Sequence, residues 1–463
     1  MRAGSADDED IYGGLAVSGN NIYLAGQFYG QSITLGATTL AGAGYSGYVT
    51  KLTDAGNSAS FTWAQLIEDN STVFVEALTV SGNSVYVGGD FTGTALAIGS
   101  ATALSNNASS DDGYVAKITD NGSTASFVWA RGIGEADGST INVYGLSING
   151  SVVYVSGAFY GTLNFNGVAP TITSIGSVPN SPGPGDMAVI RLFDSGPGAG
   201  LTSAVRAGGS GTEFVNSMSW QGSVLYVSGS NGSPAWTGAT VTGAGSGFVA
   251  KVTDTNGTLS VDWVQLISGR VFQTAPNGTG VYAAATLFGT SNFSGTPLQS
   301  AGGSDGLVLR LADGGGSVSV AWAQAAGGLG TDYFRALALA GGRVVVGGSV
   351  TPLAAFGSIV LTSPENITVA ALGVLADPAL LGTQQGQPRE PFALYPNPAH
   401  DQATVRTLAG PAESLRLSDV LGREVRRYTV PAGATEVHLD LRGLPAGMYV
   451  LRGNAGSRHL VVE

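Results

Sequence analysis

Three stretches of this chain write one phrase. GYVTKLTDAGNSASFTWAQLI begins at Gly47, GYVAKITDNGSTASFVWARGI at Gly113 and GFVAKVTDTNGTLSVDWVQLI at Gly247. A unit repeated in this way cannot bury its apolar face alone, so its copies must stack, and this constrains the fold before composition is considered. Each copy contains four strand-like pieces. The first is an alternating segment such as VFVEALTVSG (73–82). The second is SVYVGGDFTG (84–93), with kin at 21–30, 152–161, 224–233, 280–289 and 343–352. The third is the GYVxKxTD piece, with looser forms MAVIRLFD (187–194), GLVLRLAD (306–313) and ITVAALGVLAD (367–377). The fourth carries Trp63, Trp129, Trp263 and Trp322 in register. The period is about 56–72 residues, far longer than a β-solenoid coil.

The physics of each piece is legible. β-Branched and aromatic residues alternate with small or polar ones, the period-2 pattern of a half-buried strand. Between the third and fourth pieces stand DAG, DNG, DTNG and DGGG, whose Asp, Asn and Gly suit tight hairpins. Asp54, Asp120, Asp254 and Asp313 are therefore expected to form turns, and the recurrent tryptophans to pack between neighbouring sheets. Glycine, 72 of 463 residues, is more than twice its usual share and arrives with Ser, Thr, Val and Tyr rather than Pro. That composition is all-β. Radial stacking of four-stranded sheets into a β-propeller buries both faces of each sheet and leaves only short edges. About six four-stranded blades are visible in residues 1–377, and seven is the expectation for a complete protein.

The repeat resembles bacterial seven-bladed propeller repeats of the type GNxYVxG…DGYVAKxxxxG…WAxxxGG…D. The resemblance concerns fold and implies no particular activity. Arg2-Ala3-Gly4-Ser5 matches the tail of a fourth strand, while the sixth unit has three strands and no fourth. The stub is read either as closing the ring or as the end of an upstream blade. The start, MRAGSADDED, holds no apolar signal-peptide core, so the chain is expected to be N-terminally incomplete.

Residues 1–380 hold 24 acidic and 11 basic side chains, and the remainder 8 and 9. So acidic a body argues against nucleic acid, whose phosphates demand a basic face. No apolar run is long enough for a transmembrane helix. There is no cysteine, and all three histidines (His400, His438, His459) lie near the C-terminus. A Ser-His-Asp triad, a Cys-His pair and His-ligated zinc are thereby excluded from the repeats. Carboxylate chemistry of the glycosidase kind is left open, although no off-repeat carboxylate pair stands out. The acids singled out lie between the fourth strand of one unit and the first of the next: Asp10, Glu68, Asp69, Glu135, Asp137, Glu213 and Asp332. They are expected to gather on one face as a ring of negative potential able to hold a cation such as calcium, or a basic partner. No other cofactor is expected.

Residues 378–391 read as a linker and 392–463 as a small immunoglobulin-like β-sandwich of short strands. Here YPNP (395–398), LSDVLGREV (417–425), LPAGMYVLR (444–452) and the terminal RHLVVE follow in order. This set resembles the type A C-terminal sorting domain of the type IX secretion system of Bacteroidetes, and Tyr395, Pro396, Asn397, Pro398, Asp419, Gly422, Leu444, Gly447 and Tyr449 correspond to its motif. The resemblance implies export across the outer membrane, recognition by the type IX machinery, cleavage by its sortase-like peptidase, and release or attachment at the cell surface. Together these readings lead to an exported, non-enzymatic binding or display module with a polysaccharide or protein ligand on a propeller face. A secreted carbohydrate-active enzyme, a glycosidase or lyase using propeller Asp and Glu, and a scaffold without a small ligand are the alternatives.

Overall fold

The computed structural model describes residues 3–4, 9–105, 111–134, 140–163, 171–175, 185–209, 211, 213–230, 236, 238–293, 295–357, 359–361, 368–381, 393–406, 412–419, 423–453 and 456–463. The chain divides into two compact units, Met1–Ala376 and Asp377–Glu463.

The first unit is a β-propeller of successive antiparallel sheets, each wound in chain order. Sheet 1 comprises Glu9–Ser18, Asn21–Leu35, Thr38–Asp54 and Ala59–Glu68; sheet 2 comprises Val73–Ser81, Ser84–Phe91, Asp112–Asp120 and Ala125–Ile133. Sheet 3 is built from Thr140–Asn149, Val152–Tyr160, Asp186–Asp194 and Ala199–Ala207, and sheet 4 from Phe214–Gln221, Val224–Ser230, Gly247–Thr255 and Thr258–Ile267. Sheet 5 holds Val271–Asn277, Gly280–Leu287, Asp305–Asp313 and Val318–Gly327. Sheet 6 has three strands in its ladder, Tyr333–Ala340, Arg343–Val350 and Val369–Ala376. The first strands of successive sheets lie beside one another and form the inner wall.

Neighbouring sheets also exchange edges. The hairpin of Ala95–Ile98 and Ala101–Ser105 leaves its own sheet and pairs Ile98 with Ile67 of sheet 1. Ala354–Phe356 likewise pairs with the last strand of sheet 5. The N-terminal stub does not complete sheet 6. Ala3 and Gly4 pair with Leu35 and Thr34 of sheet 1.

A repeated polar clamp joins the sheets. Asp120, at the end of a strand of sheet 2, accepts hydrogen bonds from Tyr23 Oη at 2.7 Å and Trp63 Nε1 at 3.0 Å, and pairs with Lys51 Nζ at 2.8 Å, all from sheet 1. Asp194 receives Tyr86, Trp129 and Lys117 of sheet 2 in the same way. Asp313 receives Tyr226, Trp263 and Lys251 of sheet 4. Between sheets 3 and 4, Tyr154 and Arg191 hold Asp254, and Ser203 stands where the others have Trp, accepting a hydrogen bond from Leu259 N. Each of these aspartates also accepts the backbone N–H of a turn glycine, Gly122, Gly196, Gly257 or Gly315. The turn-forming role is real but only half of the function. Burial alone would raise these carboxyls; the hydrogen bonds from the partners hold all four below the ordinary aspartate value. The tryptophans pack as expected: Trp63, Trp129 and Trp263 are buried in core clusters spanning adjacent sheets.

The second unit opens with a short 3-10 turn, Pro378–Leu381, inside the span expected as linker; residues 382–392 lie outside the described residues. It continues as two sheets, one of Ala393–Tyr395, Gln402–Arg406 and Glu436–Asp440, the other of Glu413–Asp419, Glu424–Val430, Gly447–Gly453 and Gly456–Val462. Val405 and Leu439 from one sheet and Leu415, Leu417, Leu451 and Leu460 from the other share one core.

Candidate functional site

The first strand of every sheet carries an irregularity in its pairing with the second, and in sheets 2 to 6 the register skips one residue: Glu76, Tyr144, Asn216, Phe272 and Arg335. A bulge re-aims one side chain out of the alternating pattern, so the inner wall presents five different chemistries from one repeated device. The facing strand permits it through glycine. A Cβ at Gly89 would stand 2.0 Å from the Phe74 carbonyl oxygen, and one at Gly157 would stand 2.2 Å from that of Asn142.

Glu76 brings a carboxyl to this wall, and the adjacent strand supplies a second, Asp90, which pairs with Phe74 in the ladder and is 3% exposed. Burial pushes the Glu76 carboxyl up to about 7. Asp90 is also pushed up to about 7 by burial; a hydrogen bond with Asn142 opposes the rise, and the charges of Glu76 and Asp111 add to it. The Glu76 charge therefore reaches Asp90 on the adjacent strand, and burial raises both carboxyls into the same range. Tyr144, on the next bulge, is raised by burial and by Glu76 and Asp90, while Arg270 pulls it down. Buried Tyr114 donates to the Phe74 carbonyl at 3.2 Å from behind the pair.

Beyond Tyr144 the wall becomes cationic. Arg270 Nε donates to Asn216 Oδ1 at 3.1 Å, Asn216 Nδ2 donates to the Val271 carbonyl at 2.7 Å, and the Arg270 guanidinium lies 5.3 Å from the Phe272 ring centroid. Arg335 lies 5.3 Å from the same ring and 4.7 Å from that of Tyr333. Burial and the Arg335 charge hold Arg270 below its ordinary value. Among the described residues neither arginine has a carboxylate within ion-pair distance.

Of these residues the sequence had drawn attention to Phe74 and Tyr144 as first-strand aromatics, but not to Glu76, Asp90 or the arginines, and no off-repeat carboxylate pair had stood out. The signal was present. Asp90 occupies a position filled elsewhere by Gln27, Ala158, Ser230, Thr286 and Ser349, so it is the one acid in that column.

Of the acids that were singled out, Asp69 and Asp332 hold their own loops. Asp69 Oδ1 accepts Ser71 N at 2.7 Å and Oδ2 accepts Gly93 N at 2.6 Å, which closes its own loop. Asp332 is fully buried and accepts Gly328 N at 2.7 Å, Thr351 Oγ1 at 2.9 Å and Thr351 N. Glu213 is buried, its backbone N–H on the Gly185 carbonyl, and Glu68 ends its strand opposite Ala97. Asp10 lies on the first strand of sheet 1 opposite Gln27, its side chain outside the description, and Glu135 and Asp137 lie outside the described residues. Among the described residues no three acids or histidines are grouped to hold a metal ion, and no helix is long and apolar enough to cross a membrane.

In the second unit the motif residues stitch the chain ends together. Asn397 Nδ2 donates to the His459 carbonyl and its Oδ1 accepts Val461 N, both at 2.8 Å, which ties the Tyr395-Pro396-Asn397-Pro398 turn to the terminal strand. Both X–Pro bonds of this turn are cis. Asp419 accepts Arg423 N at 3.0 Å and Nε at 2.7 Å across a reversal whose Gly422 lies outside the described residues. Leu444 packs against the core, Gly447 opens its strand opposite Val462, and the buried Tyr449 donates its hydroxyl to the Pro445 carbonyl at 2.7 Å.

No curated protein matches the sequence. Solved structures similar to it include a GH43 β-1,3-galactosidase with galactodeoxynojirimycin, at 10% identity and a TM-score of 0.30 over 66% of this chain and 92% of that one. Another is an exo-β-1,3-galactanase from Phanerochaete chrysosporium with β-1,3-galactotriose, at 11% identity and a TM-score of 0.31 over 96% of this chain and 90% of that one. Both are enzymes, so the expectation of a non-enzymatic module is withdrawn; likeness at this level carries neither activity nor substrate to this chain. The family model described as "Secretion system C-terminal sorting domain" matches residues 393–463. Those residues are therefore a secretion-system sorting domain, and what they export is a propeller-type repeat.

Proposed function

We propose that this chain is an exported polysaccharide-acting enzyme, delivered by its sorting domain to the cell surface or beyond, whose propeller cleaves glycosidic bonds with Glu76 and Asp90. The observation that carries the reading is the pair itself: two carboxyls from adjacent strands, raised together to about 7. General acid–base catalysis is most effective when the catalytic pKa lies near the working pH. One carboxyl of the pair gives its proton to the glycosidic oxygen as the C–O bond breaks. Its ionised partner takes a proton from the water whose oxygen bonds to the anomeric carbon, so the pair ends with the single proton it began with. Glu76, partly buried on its bulge, is the member placed to meet substrate, and Asp90 lies deeper. The aromatic Phe272 and Tyr333 beside Arg270 and Arg335 suit a sugar bearing an anionic group, since guanidinium forks match carboxylate and sulfate geometry.

Incubation of the full chain with neutral and acidic polysaccharides, followed by reducing-end release, tests this. Release from an acidic glycan is expected, with loss of at least 100-fold, on the order of a general acid's contribution, in Glu76→Gln and Asp90→Asn. Absence of release from every substrate, or release unchanged in both variants, overturns the assignment. Removal of the sorting domain by the type IX peptidase belongs to the same proposal and is read from the mass of the secreted product.

A further inference from the structure

Each sheet from the second to the fifth is clamped by the one before it; sheet 1 shows the receiving half of that clamp, with no partner in it among the described residues. Asp54 is the counterpart of Asp120, Asp194, Asp254 and Asp313, and it accepts the equivalent turn N–H, from Gly56 at 2.7 Å. It is nonetheless exposed, and among the described residues no Tyr, Trp or cation reaches it. The apolar positions beside it tell the same story. Leu15 and Val17 are each 61% exposed. Their counterparts Leu78 and Val80, and Leu146 and Ile148, are packed into the cluster that holds the preceding sheet's Tyr and Trp.

The N-terminal stub fixes the occupant's place. Ala3–Gly4 pairs with Leu35 and Thr34 of sheet 1. Ile67–Glu68 pairs with Ile98 and Ala97, and Ala326–Gly327 with Phe356 and Ala355, in the same antiparallel way. In those two cases the first partner is the end of the preceding sheet's fourth strand. Sheet 6 is the wrong occupant, because Val345 and Val374 stand where the donors have Tyr and Lys or Arg. A second copy also fails. Three of its triads and the Tyr154–Arg191 pair are spent on their own aspartates, and the remaining triad (Tyr282, Arg310, Trp322) is packed ring to ring and already engaged.

We propose that the uncovered face of sheet 1, with Leu15, Val17 and Asp54, is a docking surface for a further four-stranded sheet of this same repeat, which presents Tyr, Lys or Arg, and Trp to Asp54. The inference is independent of the enzymatic reading. It is tested on the full chain extended at its N-terminus by a second copy of residues 213–266 joined to Ala3, which puts a complete Tyr226–Lys251–Trp263 triad in position. The expected results are a higher melting temperature than the unextended chain and slow proteolysis of the added copy, both lost with Asp54→Asn and with Tyr226→Phe plus Lys251→Met in the copy. An unchanged melting temperature, or protection equal in Asp54→Asn, overturns the proposal. So does an unextended chain that is dimeric and becomes monomeric on Asp54→Asn, which would give the face to a second copy.

Discussion

Tyr86 of sheet 2 places its hydroxyl 2.6 Å from Oδ2 of Asp194 in sheet 3, across 108 positions of sequence. The carboxylate also takes Lys117, Trp129 and the turn N–H of Gly196, so one buried side chain closes a hairpin and fastens two sheets. A buried ion pair adds little against a well-packed apolar alternative, but removal of one partner strands the others.

Asp194→Ala is accordingly expected to cost about 3–5 kcal/mol. Asp54→Ala, the same turn residue without a clamp, should stay within about 0.5 kcal/mol of the parent. Equilibrium urea unfolding of the two variants checks the contrast, and equal costs would deny the clamp its role.

The clamp also predicts behaviour in acid. Asp120, Asp194, Asp254 and Asp313 are held below the ordinary value of 3.8. Their contribution to stability is present above that value and is lost as pH falls through the lower, folded values. Melting temperature should therefore drop steeply below about pH 4, and less steeply in Asp194→Asn.

At the inner wall the sign reverses. Glu76 and Asp90 are raised from 4.5 and 3.8 to about 7. The folded state holds their protons longer than the unfolded chain, so stability is greatest below the unfolded values and declines as pH rises to about 7. The double variant Glu76→Gln/Asp90→Asn should flatten that decline. Thermal melts between pH 4 and 8 would show it, and an unchanged slope would mean that the pair is not buried as described.

The bulge makes a steric prediction. Gly89→Ala forces a Cβ to within 2.0 Å of the Phe74 carbonyl oxygen, which is backbone and has little room to move. A cost of about 1–3 kcal/mol is expected from the displaced strand, together with loss of any activity that needs Glu76 on its bulge. Gly122→Ala has open space but a φ of +92°, so it should cost stability by strain alone and leave the site intact.

In the sorting domain, Asn397→Ala removes both hydrogen bonds between the turn and the terminal strand. Two lost bonds, each worth about 0.5–1.5 kcal/mol, should loosen the C-terminal strand. Faster amide exchange at Val461 and reduced export of the full chain are the expected readouts.

Much of this could be read directly. The repeated phrase determined the four-stranded unit, the Asp-Gly hairpins and the in-register Trp, because each depends on period-2 alternation and local turn chemistry. The tail's turns and short strands were equally legible, since Asp419 and Tyr449 bond within four residues of themselves. The hairpin that abandons sheet 2 to extend sheet 1 was not legible, because strand pairing between units leaves no local pattern. Nor was the second role of Asp120 and its counterparts, whose donors arrive from another sheet. The site was the least legible part. Glu76 leaves the alternation only because a bulge skips it in the ladder, and it is burial that moves its carboxyl and that of Asp90 towards neutrality. Sequence by itself decided what could be built and how often; register and desolvation, which exist only in the folded chain, decided which carboxyls are held towards neutrality.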